Sequence, residues 1–195
     1  MSHHLLYFAL VALVVWPLGT FAFINFQPRI FYTGVRRVVL RGMGVKPGGI
    51  PVNTFYALPA LNSPSMSNSA LILTGNRDTL YTGGALDLGP GPQILHVPQM
   101  AGRYYSIEFF SPWLDMFAIV GRRTTGARAG DYLISGPKWR GALPEGMTKI
   151  LSPSNSVLVI GRVLVEGDGD VPAAYDLSKQ IQVAPLAGRQ STNDI

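Results

Sequence analysis

The first 28 residues contain no Lys, Arg, Asp or Glu, and within them Leu5 to Phe26 is a 22-residue apolar stretch interrupted only by Pro17, Gly19, Thr20 and Asn25. A helix of about 20 such residues matches the hydrocarbon thickness of a bilayer, so this segment has to cross a membrane or be covered by protein. Tyr7 and Trp16 are of the kind that anchors at interfaces, although Trp16 would fall near mid-span, and Pro17 is expected to kink the helix. A cleaved signal peptide fits less well: Met1 to His4 carries no Lys or Arg, and no small-x-small cleavage site follows. Residues 1–28 are therefore read as a membrane anchor, a transmembrane helix of the signal-anchor type, with a buried helix of the domain as the alternative.

The charge that follows is local. Arg29, Arg36, Arg37, Arg41 and Lys46 come without an acid among them, whereas from residue 47 onward 11 basic residues meet 11 acidic ones. The net charge of +5 thus belongs to the segment after the apolar stretch and gives no reason to expect a nucleic-acid partner. A membrane surface is the expected partner, since each basic residue near anionic headgroups contributes about 1 kcal/mol. A solvated basic helix is the plainer alternative. The positive-inside rule would put this flank on the cytoplasmic side.

Residues 29–51 read as a basic helix ending at Arg36 to Leu40, then a hinge, because Lys46 to Pro51 holds two prolines and two glycines. From residue 52 to 187 the pattern is that of short strands with Gly and Pro between them. The runs Leu71–Leu73, Leu80–Leu88, Gln93–Val97, Tyr104–Phe110, Met116–Val120, Tyr132–Ser135, Thr148–Leu151 and Val157–Val165 predict strands, and Val171–Gln180 a short C-terminal helix with Pro172 in its first turn. The expected fold is mainly β, an antiparallel β-sandwich or barrel-like domain with an apolar N-terminal helix. Residues 188–195 form a polar tail.

No standard catalytic motif occurs, and with no cysteine, thiolate chemistry and disulfides are excluded. His96, within Ile-Leu-His-Val-Pro, is read as a strand residue rather than a base. What remains is carboxylate and arginine chemistry. Asp78, Glu108 and Asp115 are candidate catalytic acids or bases if the fold brings them together. Asn76, Arg77, Thr79, Tyr81, Arg103, Tyr104, Arg122 and Arg123 are candidate ligand-binding residues, the arginines as bidentate anion clamps. The plainer readings are that Asp78 caps a turn and pairs with an arginine of another strand, and that Glu108, on the side of Tyr104 in its strand, lies on a solvated face. Oxygen-only metal binding by Asn76, Asp78 and Asp115 has no ligand spacing to argue for it, so no metal and no cofactor is expected.

Several blocks carry a family resemblance: Val52 to Tyr56, Asn76 to Tyr81, Gly102 to Ser106, Phe117-Ala118, Gly121 to Gly126 and Gly130 to Pro137. In this order they resemble the family called domain of unknown function 1254. The resemblance implies three things. A second domain, domain of unknown function 1214, usually follows in such proteins, so the expected partner is a chain carrying it, or a second copy of this one. Trp16-Pro17-Leu18 resembles a Tyr-Pro-Leu element of the family's N-terminal helix, which favours the buried-helix reading. Many relatives look secreted or periplasmic, against the cytoplasmic side given by the arginines. The chain departs from the family pattern at Arg77, Ser111 and Asp115, all in polar blocks. The functional expectation is a membrane-associated binding or assembly module; the alternative is a hydrolase or lyase for a small polar substrate, acting through Asp78 with an arginine clamp.

Overall fold

Strand β4, Tyr105–Phe110, shows how the sequence builds the core. Successive side chains of a strand point to opposite faces, and here Tyr105, Ile107 and Phe109 are fully buried while Glu108 and Phe110 on the other face are half-buried. Each large apolar side chain so buried contributes about 1.5–3 kcal/mol. The computed structural model describes residues 3–42, 46–61 and 76–186, and the expected strand Leu71–Leu73 lies outside them.

The other strands are β1 (Tyr56–Ala57), β2 (Thr79–Asp87), β3 (Gln93–Val97), β5 (Met116–Gly121), β6 (Gly130–Ser135), β7 (Thr148–Leu151), β8 (Ser156–Leu164) and β9 (Gln182–Pro185). They form two open sheets, a five-stranded one in the order β1-β2-β8-β4-β5 and a four-stranded one in the order β7-β6-β3-β9. All described pairings are antiparallel except β6 with β7. Leu80, Ile107, Phe109 and Val159 from the first sheet and Leu95, Val97, Ile134 and Ile150 from the second share one core, which makes the domain a sandwich rather than a barrel. Helix α2, Val171–Gln180, closes one side of it with Ala174 fully buried.

At the N-terminus a single helix, α1, runs from His3 to Leu40 through both Pro17 and Pro28. Arg36–Leu40, read as helix continuing from the apolar segment, is its last turn. None of the apolar window that begins at Tyr7 is buried, so the sandwich does not cover it. Only the final turns meet the domain: Tyr32 and Val39 are buried with Ile50 and Leu158, and Val35, Tyr56, Phe110 and Ile160 pack around them. The spacing 32, 35, 39 is one face of a helix. It lies on the outer face of the five-stranded sheet, where the Tyr32 hydroxyl is 2.9 Å from Ser156 Oγ.

The hinge expected at Lys46–Pro51 turns the chain back under this helix. Ile50 N–H donates to the carbonyl of Leu40 at 2.9 Å. Gly48 and Gly49 both have left-handed φ, +84° and +79°, but only at Gly49 would an added Cβ overlap the Leu40 carbonyl oxygen. The two positions therefore separate backbone strain from steric overlap. Gly48→Ala is expected to cost about 1–2 kcal/mol from strain alone, and Gly49→Ala distinctly more. Denaturant unfolding of the detergent-solubilised variants checks this, equal losses being the contrary result.

Candidate functional site

The polar block Asn76 to Tyr81 leads into β2, and Asn76 organises it. Its Oδ1 accepts the backbone N–H of Asp78 at 3.0 Å and of Thr79 at 3.1 Å, an Asx turn, and its Nδ2 donates to Thr79 Oγ1. The capping role expected of Asp78 thus belongs to Asn76. Asp78 serves through its backbone carbonyl, which accepts the N–H of Val165 at 2.8 Å, and the side chains of Arg77 and Asp78 are exposed. Ion pairs among the described residues join His96 to Asp131, Arg103 to Asp170, Arg162 to Glu108 and Lys179 to Asp176. The expected partnership of Asp78 with an arginine is not among them.

Sheet register separates the three candidate carboxylates. Thr79, the residue after Asp78, pairs with Leu164 on β8, whereas Phe110, at the far end of β4, pairs with Leu158. Six residues of strand amount to about 20 Å. Asp78 therefore lies beyond one end of β8 and Asp115, in the loop after Phe110, beyond the other, and the convergence that acid/base catalysis needs is not made. Asp115 accepts a hydrogen bond from Ser111 Oγ, whose own oxygen accepts the N–H of Trp113 at 3.1 Å. It builds a turn.

Glu108 sits between these ends on the outer face. Its side chain is only 14% exposed, held by Arg162 at 2.6 Å and by Ser106 Oγ at 3.3 Å, so it is less solvated than the plain reading of that face expected. Tyr81, Arg162 and Ser106 stand side by side in register across β2, β8 and β4. The Arg162 guanidinium lies 5.8 Å from the Tyr81 ring, and that of Arg123 lies 5.7 Å from the Tyr104 ring. Of the predicted ligand residues, Tyr81, Tyr104 and Arg123 thus share one surface with Glu108. Thr79 is buried, and Arg122 is exposed with its backbone N–H on the Tyr105 carbonyl at 3.2 Å.

Arg162 is the member that sequence reasoning missed. A single arginine inside Val157–Val165 was the available signal, since a charge that interrupts a strand's apolar run calls for a partner across the sheet. Its pairing with Glu108 depends on register across 54 residues, which no local pattern encodes. On the other sheet His96 Nδ1 and Asp131 Oδ1, register partners, stand 2.7 Å apart. No group of three or more potential metal ligands occurs among the described residues. A groove of about 540 Å³ lies along α1, lined by Phe8, Val11, Val15, Trp16 and Phe23, with none of the polar residues above in its wall.

Arg103 has a structural task. Its guanidinium grips the Asp170 carboxylate through both nitrogens, the second at 2.8 Å, and donates to the Leu164 carbonyl at 2.7 Å. Asp170 also accepts the N–H of Glu166 at 2.9 Å. This clasp fastens the start of β4 to the corner between β8 and α2. The Arg103 hydrogen bonds, followed by the Glu166 N–H, hold the Asp170 carboxyl at a pKa of about 2.

Residues 52–185 match the model of a family described as protein of unknown function DUF1254. The chain is similar in structure to the VPA0106 protein of Vibrio parahaemolyticus, with a TM-score of 0.69 and 23% identity over 87% of this chain and 38% of that one. A weaker likeness, TM-score 0.42 and 9% identity, links 70% of the chain to 36% of an uncharacterised protein from Burkholderia cenocepacia. The first likeness concerns the fold, and the chain spans well under half of that protein's length. No curated protein matches the chain.

The clasp carries a pH signature. A carboxyl whose folded pKa lies below its unfolded value contributes stability in full above about pH 4, and loses it as pH falls toward 2. Asp170→Asn is expected to lower stability at pH 7 by roughly 1–2 kcal/mol and to flatten its dependence between pH 4 and 2. Thermal melts of parent and variant across that range check it, parallel pH profiles being the contrary result.

Proposed function

Since the chain belongs to the DUF1254 family, whose description states no activity, we propose its role from its own geometry: a membrane-anchored β-sandwich that works as a binding or assembly module at the bilayer surface. One observation carries the reading. The helix that packs on the sandwich by its last turns continues without interruption into an apolar window of mean hydropathy 2.1, none of it buried. Exposing such a surface to water over roughly 30 Å of helix is costly, and a bilayer removes the cost. Arg29, Arg36, Arg37, Arg41 and Lys46 follow the window directly, where they suit anionic headgroups and favour a cytoplasmic domain.

The half of the outer sheet face that α1 leaves open is the module's proposed working surface. Tyr81, Tyr104, Arg123 and the Glu108–Arg162 pair offer flat aromatic and charged groups, the composition of a protein–protein contact. A partner chain or a second copy is the proposed occupant. The hydrolase or lyase reading, through Asp78 with Arg122 or Arg123 as clamp, has less to support it: these side chains are exposed, Asp78 and Asp115 lie beyond opposite ends of β8, and Glu108 is engaged in an ion pair.

Membrane fractionation tests the anchor. The chain is expected at its uncleaved mass of 21.1 kDa, in the pellet after alkaline carbonate. Val14→Arg combined with Leu18→Arg, each about 2.5–3.5 kcal/mol unfavourable at mid-span, is expected to move it to the supernatant. A carbonate-soluble parent, or a shortened mature chain, overturns the reading. A C-terminal fluorescent-protein fusion that glows while the matching alkaline phosphatase fusion is inactive is the outcome expected for a cytoplasmic domain.

A further inference from the structure

Helix α1 leaves the sandwich at a corner whose side chains suit lipid. Its last turns cross the outer face of the five-stranded sheet from one side to the other. The Leu40 carbonyl meets Ile50 just before β1, Tyr32 meets Ser156 on the central strand β8, and the Arg29 guanidinium lies 4.6 Å from the Trp113 ring in the β4–β5 loop. Trp113 therefore stands at the depth of the Arg29 guanidinium. Arg29 follows Phe26, the end of the uncharged stretch, by three residues, or about 4.5 Å of helical rise. The headgroup layer on each side of a bilayer is about 5–7 Å thick. With the hydrocarbon boundary at Phe26, Trp113 falls at headgroup depth.

The loop itself is held firmly while Trp113 within it and Met116 just after it are left out. Ser111 is fully buried, its carbonyl accepts the Leu114 N–H at 2.9 Å, and its hydroxyl oxygen accepts that of Trp113 at 3.1 Å. Leu114 packs into the cluster of Tyr32 and Val39, which fastens the loop to the helix. Trp113 and Met116, by contrast, remain 49% and 48% exposed. An isolated exposed apolar residue needs no explanation. A tryptophan under an arginine, with an exposed methionine three residues on, at the exit point of an apolar helix has the composition of a membrane interface.

We propose that the β4–β5 loop and the start of β5 form a second membrane contact, in which Trp113 and Met116 enter the headgroup layer of the same phospholipid bilayer that α1 crosses and fix the tilt of the sandwich against it. The proposal rests on the anchor reading of α1. Two attachment points, one spanning and one interfacial, leave the domain far less orientational freedom than a tether alone. The open outer face with Tyr81 and Arg162 is then presented at a set angle to the membrane.

The absence of cysteine allows a clean test on the full chain. Met116→Cys, Val14→Cys and Arg77→Cys each receive one environment-sensitive fluorophore, and the labelled chains are placed in nanodiscs of mixed phosphatidylcholine and phosphatidylglycerol. The label at 116 is expected to emit to the blue and to be quenched by a headgroup nitroxide. The label at 14 is expected to be quenched by an acyl-chain nitroxide, and the label at 77, beyond the opposite end of β8, to keep its emission in water. Adding Trp113→Asp to the Met116→Cys chain is expected to return the label at 116 toward the aqueous spectrum with no change in melting temperature. A water-like label at 116 with a quenched label at 14 overturns the loop contact and leaves the anchor standing. Water-like labels at both overturn the anchor and the loop contact with it, and a label at 116 indifferent to Trp113→Asp overturns the loop contact alone.

Discussion

Tyr32 and Val39, buried against Leu158 and Ile50 on the outer face of the five-stranded sheet, make one object of a long apolar helix and a β-sandwich. Without that seam the two would be joined only through the chain that links them. The seam is small, so its polar and steric details count. Tyr32 finds a hydroxyl partner in Ser156, and Gly49 leaves room for the Leu40 carbonyl to receive Ile50 N–H. Each satisfies a group that burial would otherwise penalise by about 1–3 kcal/mol.

Where the charges go supports the same picture. Arg103 clasps Asp170, Arg162 holds Glu108, and Arg29 and Arg123 lie over aromatic rings. A catalytic carboxylate has to be free to exchange a proton at working pH. Asp170 is held strongly ionised by its clasp, Asp115 closes a turn, and Asp78 stands exposed at the mouth of β2. Among the polar residues that drew attention in the sequence, Asn76, Thr79, Arg103 and Asp115 fasten strand ends, and short hydrogen-bonding side chains such as Asn and Asp are suited to that job.

Much of the fold was legible because it is written locally. Gln93–Val97 and Thr148–Leu151 are bounded by Gly and Pro, and Pro172 marks the first turn of α2, so their limits agree with the structure residue for residue. Strands β1 and β9 were not legible. Tyr56–Ala57 is two residues that owe their extended form to pairing with Thr82 and Gly83, and Gln182–Pro185 forms an edge by pairing with β3. The same distinction governs the site. That Asn76 to Tyr81 is a turn into a strand follows from its composition, but the choice of Asn76 over Asp78 as its cap depends on which side chain the backbone faces. The Glu108–Arg162 pair depends on three strands finding their register.

The extent of helix α1 was the least local feature. Composition divides it at Arg29 into an apolar part and a basic part, and the two prolines invite further breaks. The structure carries one helix through all of them, because the basic part has an apolar face of its own at Tyr32, Val35 and Val39 that the sheet buries. An apolar stretch that ended at a flexible linker would anchor the domain without orienting it. One that continues as helix into a packed seam transmits its direction, since a helix resists bending over a few turns whereas a Gly-Pro hinge does not. The Lys46–Pro51 turn belongs to this seam: Ile50 is buried in it and its N–H binds the Leu40 carbonyl, so the direction of the apolar segment is fixed to the sheet at the point where the chain turns back.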